Sequence, residues 1–150
     1  MPSDATELSE KPKPPPRQLP LLEPQSAFFW TSGADGKLRI SRCQACARYI
    51  HPPLPACPEC GGDTAPAVVS GRGRVAASTI NVQAWLPGMQ VPFVYAAIEL
   101  EEQAELYVTS NVTDCPVTAV RRGMPVAVWF EPQEDVFLPM FKPAEVADVA

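Results

Sequence analysis

The chain has 150 residues, 46% of them hydrophobic, and 12 Lys and Arg against 17 Asp and Glu leave a formal charge of -5. That is enough apolar material for a modest core, and the wrong sign of charge for tracking a phosphate backbone by bulk electrostatics, so no nucleic-acid partner is expected. No apolar run approaches the roughly 20 residues of a bilayer span, and the acidic, proline-rich start lacks a signal peptide's basic residues and apolar stretch; no membrane partner and a cytoplasmic location are expected.

Residues 2–24 hold seven of the 19 prolines, mixed with charges. A segment so poor in apolar surface cannot offset its ordering entropy, which predicts a flexible proline-rich arm over residues 1–25, with Leu19, Leu21 and Leu22 as anchors if it docks on a partner. A short aromatic helix is expected over residues 26–36, capped by Ser26, carrying Phe28, Phe29 and Trp30, and ended by Gly33 and Gly36. Three adjacent aromatics cannot share one helical face, so some must pack on another element of this chain or on a second subunit. Leu38 and Ile40 alternate with Lys37, Arg39 and Arg42 as a strand leading to Cys43. After Gly61 and Gly62, further strands are expected at residues 75–82, 93–100, 106–112, 126–130 and 137–141, the last interrupted by Pro139 and therefore at an edge or bend. A helical turn between the third and fourth of these, with Asp114 as cap, Pro116 in its first turn and Gly123 closing it, completes the element order of an OB-fold.

Four of the five cysteines form two pairs, Cys43-x2-Cys46 and Cys57-x2-Cys60, ten residues apart. Two residues between thiolates let one tight turn aim both sulfurs at one ion, and two such turns complete a tetrahedron. One structural Zn(II) per chain, held by Cys43, Cys46, Cys57 and Cys60, is expected; iron in the same four-thiolate geometry is the competing metal. Four protein ligands leave no position for a reacting water. His51, the single histidine, is surplus as a ligand and is expected to be packed or at the surface, and Cys115, remote from the pairs, is expected to be packed. No set of catalytic residues is expected.

These residues, taken in order, resemble a known family. Phe28-Phe29-Trp30, Leu38-Arg39-Ile40 leading into Cys-x2-Cys, His51-Pro52-Pro53, Cys57-Pro58-x-Cys60-Gly61, Ser70-Gly71-Arg72-Gly73, Pro92-Phe93-Val94-Tyr95 and Gly123-Met124-Pro125-Val126 are similar to the zinc-ribbon OB-fold family that accompanies thiolase-like acyl-CoA enzymes. The resemblance implies a mainly β chain: a short N-terminal helix, a rubredoxin-like zinc ribbon (residues 37–66), a five-stranded OB-fold barrel (67–143) and a C-terminal tail (144–150). It also implies a non-catalytic subunit that scaffolds a thiolase-like partner, an aldolase or thiolase including those that shorten steroid side chains, in a hetero-oligomer, and helps to hold acyl-CoA.

Residues 37–74 carry six basic and two acidic side chains, a local excess that suits coenzyme A phosphates, with Arg72 and Arg74 as the expected contacts. Glu99, Glu101, Glu102 and Glu105 crowd one hairpin and would repel phosphate, which places any such contact on the opposite side. The alternative function is a single-strand nucleic-acid module, for which Phe93, Tyr95 and Tyr107 are the candidate stacking residues.

Overall fold

The computed structural model describes residues 17–144, so the expectations for residues 1–16 and 145–150 lie outside the described residues. The helix α1 (Ala27–Trp30) is a single turn, followed by a 3-10 turn over Ser32–Asp35 that ends at Gly36 in the left-handed region. Ser26 makes no side-chain capping bond, contrary to expectation. The side-chain bonds lie at the other end, where Thr31 Oγ1 donates to the Ala27 carbonyl (2.8 Å) and Ser32 Oγ to that of Phe28 (2.9 Å). The Ala27 carbonyl also accepts the Thr31 N–H (3.0 Å), so the hydroxyls reinforce the last carbonyls of a helix too short to bond them all along its length. Phe29 is buried in this chain's own core, and Phe28 and Trp30 pack against it half-buried, so the aromatic run is divided between faces within one molecule.

Strands β1 (Arg39–Cys43), β2 (Tyr49–Ile50) and β3 (Thr64–Val68) form an antiparallel sheet in the order β2-β1-β3. Strands β4 (Arg72–Asn81), β5 (Phe93–Leu100), β6 (Tyr107–Val112), β7 (Pro125–Gln133) and β8 (Val136–Pro143) close into a barrel in the order β4-β5-β6-β8-β7. The chain is therefore mainly β, with a small three-stranded ribbon beside a five-stranded OB-type barrel. Alternation drives the closure: on β5, Val94, Ala96, Ile98 and Leu100 point inward and are buried, and they meet Val75, Val108, Val126 and Phe141 in the core. Gly73 on β4 permits close approach, because a methyl group there would collide with the carbonyl oxygen of Glu99.

Two local expectations are corrected. Asp114 does not cap the turn between β6 and β7, which is a 3-10 turn over Val117–Ala119; Asp114 lies in the left-handed region (φ 61°), and Gly123 turns the chain back so that its N–H reaches the Val75 carbonyl at 2.7 Å. Nor does Pro139 sit on an edge strand, since β8 lies between β6 and β7. Its ring is tolerated because β8 meets β6 through the single pair Val112 and Phe141, and the Pro139 carbonyl instead accepts Ser110 Oγ at 2.6 Å. A proline's missing donor costs nothing where the ladder has lapsed.

Candidate metal centre and barrel grooves

The ribbon brings the four expected cysteines together. Cys43 ends β1, and the turn after it closes by the Ala47 N–H donating to the Cys43 carbonyl (3.0 Å), with Ala47 in the left-handed region. The second turn repeats this with the Gly61 N–H on the Cys57 carbonyl (2.9 Å). The four Sγ atoms lie within 4.8 Å of one another, with Cys43 and Cys60 3.4 Å apart and Cys46 and Cys57 3.7 Å apart. A tetrahedral site with Zn–S bonds of about 2.3 Å has sulfurs about 3.8 Å apart, so the set fits the ion.

Local chemistry agrees with that fit. The N–H of Cys46, joined by that of Ala45, holds the Cys43 thiol down at about 6. On Cys60 the Gly62 N–H pulls the other way from the three neighbouring thiols and from burial, and the outcome is a thiol pushed up to about 12. Four thiols this close cannot all ionise by themselves, and a divalent cation removes that penalty. Gly62 is part of the fit: a Cβ there would stand 2.8 Å from Ala45 Cβ and 3.0 Å from Cys43 Sγ. Among the described residues, no other group of His, Cys, Asp and Glu is arranged to hold a metal.

His51 and Cys115 are packed, as expected. The His51 ring lies 4.7 Å from that of Phe29, where burial pushes its pKa down to about 4, and its Nδ1 is buried and finds no hydrogen-bond partner among the described residues. Cys115 packs against the barrel core, and burial raises its thiol.

The basic stretch is not one face. Arg39 is tied to Asp35 at 2.6 Å, a bond that lowers the Asp35 pKa to about 2. Arg42 stacks over Tyr49 (4.7 Å) and donates to the Ala47 carbonyl. Arg72 and Arg74 are exposed on β4 and line a groove of about 400 Å³ together with Glu99, Glu101 and Gln103. The expectation that the acidic hairpin lies opposite these arginines is thus wrong: β4 pairs directly with β5, placing Arg74 across from Glu99. The β5–β6 ladder sets Tyr107 directly beside Glu99, which puts a carboxylate next to one candidate base-stacking residue.

Sequence reasoning missed three contacts that hold the parts together. Gln103, in the β5–β6 turn, clamps the ribbon by accepting from the Tyr49 N–H (2.9 Å) and donating to its carbonyl (3.0 Å). Gln25 donates to the Pro53 carbonyl at 2.5 Å. Arg17 forks onto buried Glu131 (2.5 Å) and reaches Asn111 (3.2 Å) at a second groove of about 430 Å³ that includes Leu86, Met89, Phe93 and Tyr95. A lone Gln or Arg far along the chain carries no sign of its partner.

Comparison with known proteins gives a consistent picture. Residues 30–65 match the family described as the rubredoxin-like zinc ribbon domain of ChsH2, and residues 67–131 the C-terminal OB-fold domain of ChsH2. The chain is 33% identical, over 95% of its length, to a probable enoyl-CoA hydratase alpha subunit of Thermomonospora curvata. It is 35% identical over 80% of its length to the 3-oxo-4,17-pregnadiene-20-carboxyl-CoA hydratase alpha subunit of Mycobacterium tuberculosis. It spans only 44% and 38% of those two proteins. A solved structure titled Ltp2-ChsH2(DUF35) aldolase superposes with a TM-score of 0.75 at 30% identity, covering 83% of this chain and 98% of that one.

Proposed function

This chain belongs to the ChsH2 zinc-ribbon and OB-fold family, and from that premise we propose that it is a non-catalytic subunit of a thiolase-like acyl-CoA enzyme, an aldolase or thiolase, joined to its partner in a hetero-oligomer. The observation that carries most weight is the likeness to the chain of the Ltp2-ChsH2(DUF35) aldolase, because it extends over nearly all of that chain at 30% identity. The steroid-type acyl group in the name of the mycobacterial relative suggests a bulky acyl chain, such as a steroid side chain, as the substrate of the complex. No helix among the described residues is long and apolar enough to cross a membrane. Reduced thiols suit a reducing compartment, which in this proposal is the cytoplasm.

In this proposal Cys43, Cys46, Cys57 and Cys60 hold one structural Zn(II), residues 37–66 are the metal-bearing unit and residues 67–143 the barrel. Four thiolate ligands complete a tetrahedron and leave no position for a substrate or water, so the zinc serves folding, and the chemistry belongs to the partner. Arg72 and Arg74 are the side chains offered to coenzyme A phosphates. They are exposed and, among the described residues, form no ion pair, and they share their groove with Glu99 and Glu101, so only a phosphate approaching the arginine wall would gain.

Co-expression with a thiolase-like subunit tests the assignment. A stable hetero-oligomer by size-exclusion chromatography with light scattering is expected, with acyl-CoA turnover by the complex and none by the isolated chain. Turnover by the isolated chain would contradict the assignment. Arg72→Ala and Arg74→Ala should raise the KM for acyl-CoA about three- to tenfold and leave assembly intact; unchanged kinetics in both would remove the phosphate contact alone.

A further inference from the structure

The least explained surface lies at one end of the barrel. Between Arg74 and Glu99 the sequence contains no charged residue, a long interval in a chain that is 19% Asp, Glu, Lys and Arg. Folded, residues 75–98 form the β4–β5 hairpin; Val75, Val94, Ala96 and Ile98 face the core, but towards its tip large apolar side chains are turned outward: Val82 is 74% exposed, Trp85 66% and Tyr95 51%. Trp85 is held in place, since its Nε1 donates to Asn81 Oδ1 (3.2 Å) while Asn81 Nδ2 donates to the Gln83 carbonyl (2.7 Å). Leu86, Met89, Phe93 and Tyr95 of the same hairpin line a groove together with Arg17. Exposed Val82, Trp85 and Tyr95 beside half-buried Leu86, Met89 and Phe93, on a hairpin that carries no charge of its own, have the composition of an interface core.

The backbone of the same hairpin indicates what covers it. Strand β4 pairs with β7 only at Arg72, Gly73 and Arg74, with one more bridge between Val75 and Met124. From Ala77 to Asn81 it pairs with β5 alone, and among the described residues nothing bonds its other side. Asn111 reaches the Val94 carbonyl from the β6 side, so the polar groups of Val94 face β6. In an antiparallel ladder its opposite number, Ile80, then turns its N–H and carbonyl to the open edge, and Ser78, two residues earlier, does the same. Natural edge strands are blunted by charge, proline or a cover, and this stretch has no charge and no proline.

We infer that the β4–β5 hairpin is the surface on which the thiolase-like subunit docks, contributing an uncharged strand that pairs with the open edge at Ser78 and Ile80 beneath Val82 and Trp85. An acyl chain or lipid tail would cover the apolar side chains and leave the edge N–H and carbonyl groups without partners; a polypeptide strand satisfies both. The absence of charge between Arg74 and Glu99 suits an uncharged partner strand, since the cation at the adjoining groove, Arg17, is already paired with Glu131. The inference rests on the hetero-oligomer proposed above and adds where the contact lies.

The test uses the full chain and the co-expressed thiolase-like subunit, with affinity read by titration. Val82→Asp and Trp85→Asp place a charge on exposed side chains that contribute little to folding, and Ile80→Pro removes one outward N–H while leaving the β5 ladder intact. The aspartate variants should weaken assembly about 30-fold or more and the proline variant about tenfold. All three should keep the zinc content and far-ultraviolet circular dichroism of the parent chain. If the parent assembles and all three variants assemble equally well, the hairpin assignment falls and the hetero-oligomer stands. If the parent fails to assemble, both fall. A chain that is dimeric alone, and made monomeric by Trp85→Asp, would give the surface to a second copy and overturn the inference.

Discussion

The ribbon and the barrel solve the same problem, holding short β-strands together, by different means. The buried apolar cluster of the ribbon consists of Cys43, Ile50 and Cys57, so two of its three members are proposed metal ligands. The larger cluster gathers Val75, Val94, Ile98, Leu100, Val126 and Phe141 with others from the barrel and from α1, and takes in Leu38 and Ile40 from the base of the ribbon. Apolar burial is worth about 25 cal/mol per Å², which a five-stranded barrel can collect and a three-stranded ribbon cannot. The metal-bound end of the ribbon therefore depends on the ion and the barrel on its core, with Leu38 and Ile40 tying the base of the ribbon to that core; loss of the metal should unfold the ribbon while the barrel stays folded.

The largest effect expected from breaking this contrast is on the metal. Cys43→Ser or Cys57→Ser, or treatment of the parent with a strong chelator, should release zinc and unfold residues 37–66, because at such sites metal binding supplies on the order of 10 kcal/mol of folding free energy. Amide hydrogen exchange should show the ribbon unprotected and the barrel strands still protected. A ribbon that keeps its protection without metal would end the contrast. Phe141→Ala is the converse. Truncating this fully buried side chain should cost the barrel about 3–5 kcal/mol in urea unfolding while the parent's zinc stoichiometry persists.

A smaller effect is expected where the two regions meet. Gln103→Ala leaves the N–H and carbonyl of Tyr49 without their partner, and should lower stability by about 1–3 kcal/mol, with faster exchange at β2 and little change in the barrel. The smallest concerns pH. The pKa of His51 in the fold lies near 4, below its ordinary 6.5, so the folded state favours the neutral ring. Its contribution is whole above pH 6.5 and is lost as the pH falls from 6.5 towards 4, at up to about 1.4 kcal/mol per pH unit. His51→Phe, which keeps a ring against Phe29, should show a shallower loss of stability between pH 7 and pH 5.5 than the parent. Equal slopes would mean that His51 does not titrate differently in the folded and unfolded chains.

The local features of this protein were legible in its sequence because they depend on short spacing. Two residues between thiols define a metal-binding turn, alternation from Phe93 to Leu100 defines a strand with one buried face, and Gly36 or Gly123 marks a reversal by its own backbone freedom. What brings distant residues together was not legible. The sequence separates Arg74 from Glu99, Tyr49 from Gln103 and Arg17 from Glu131, and only closure of the barrel and its docking on the ribbon make them neighbours. The sum of charges over residues 37–74 therefore predicted a basic face that the fold divides, pairing Arg39 with Asp35 and setting Arg72 and Arg74 in a groove with glutamates. Periodicity reports which way a side chain points along its own element, whereas register between strands decides what it meets; the first is written residue by residue, and the second follows from the packing of the whole chain.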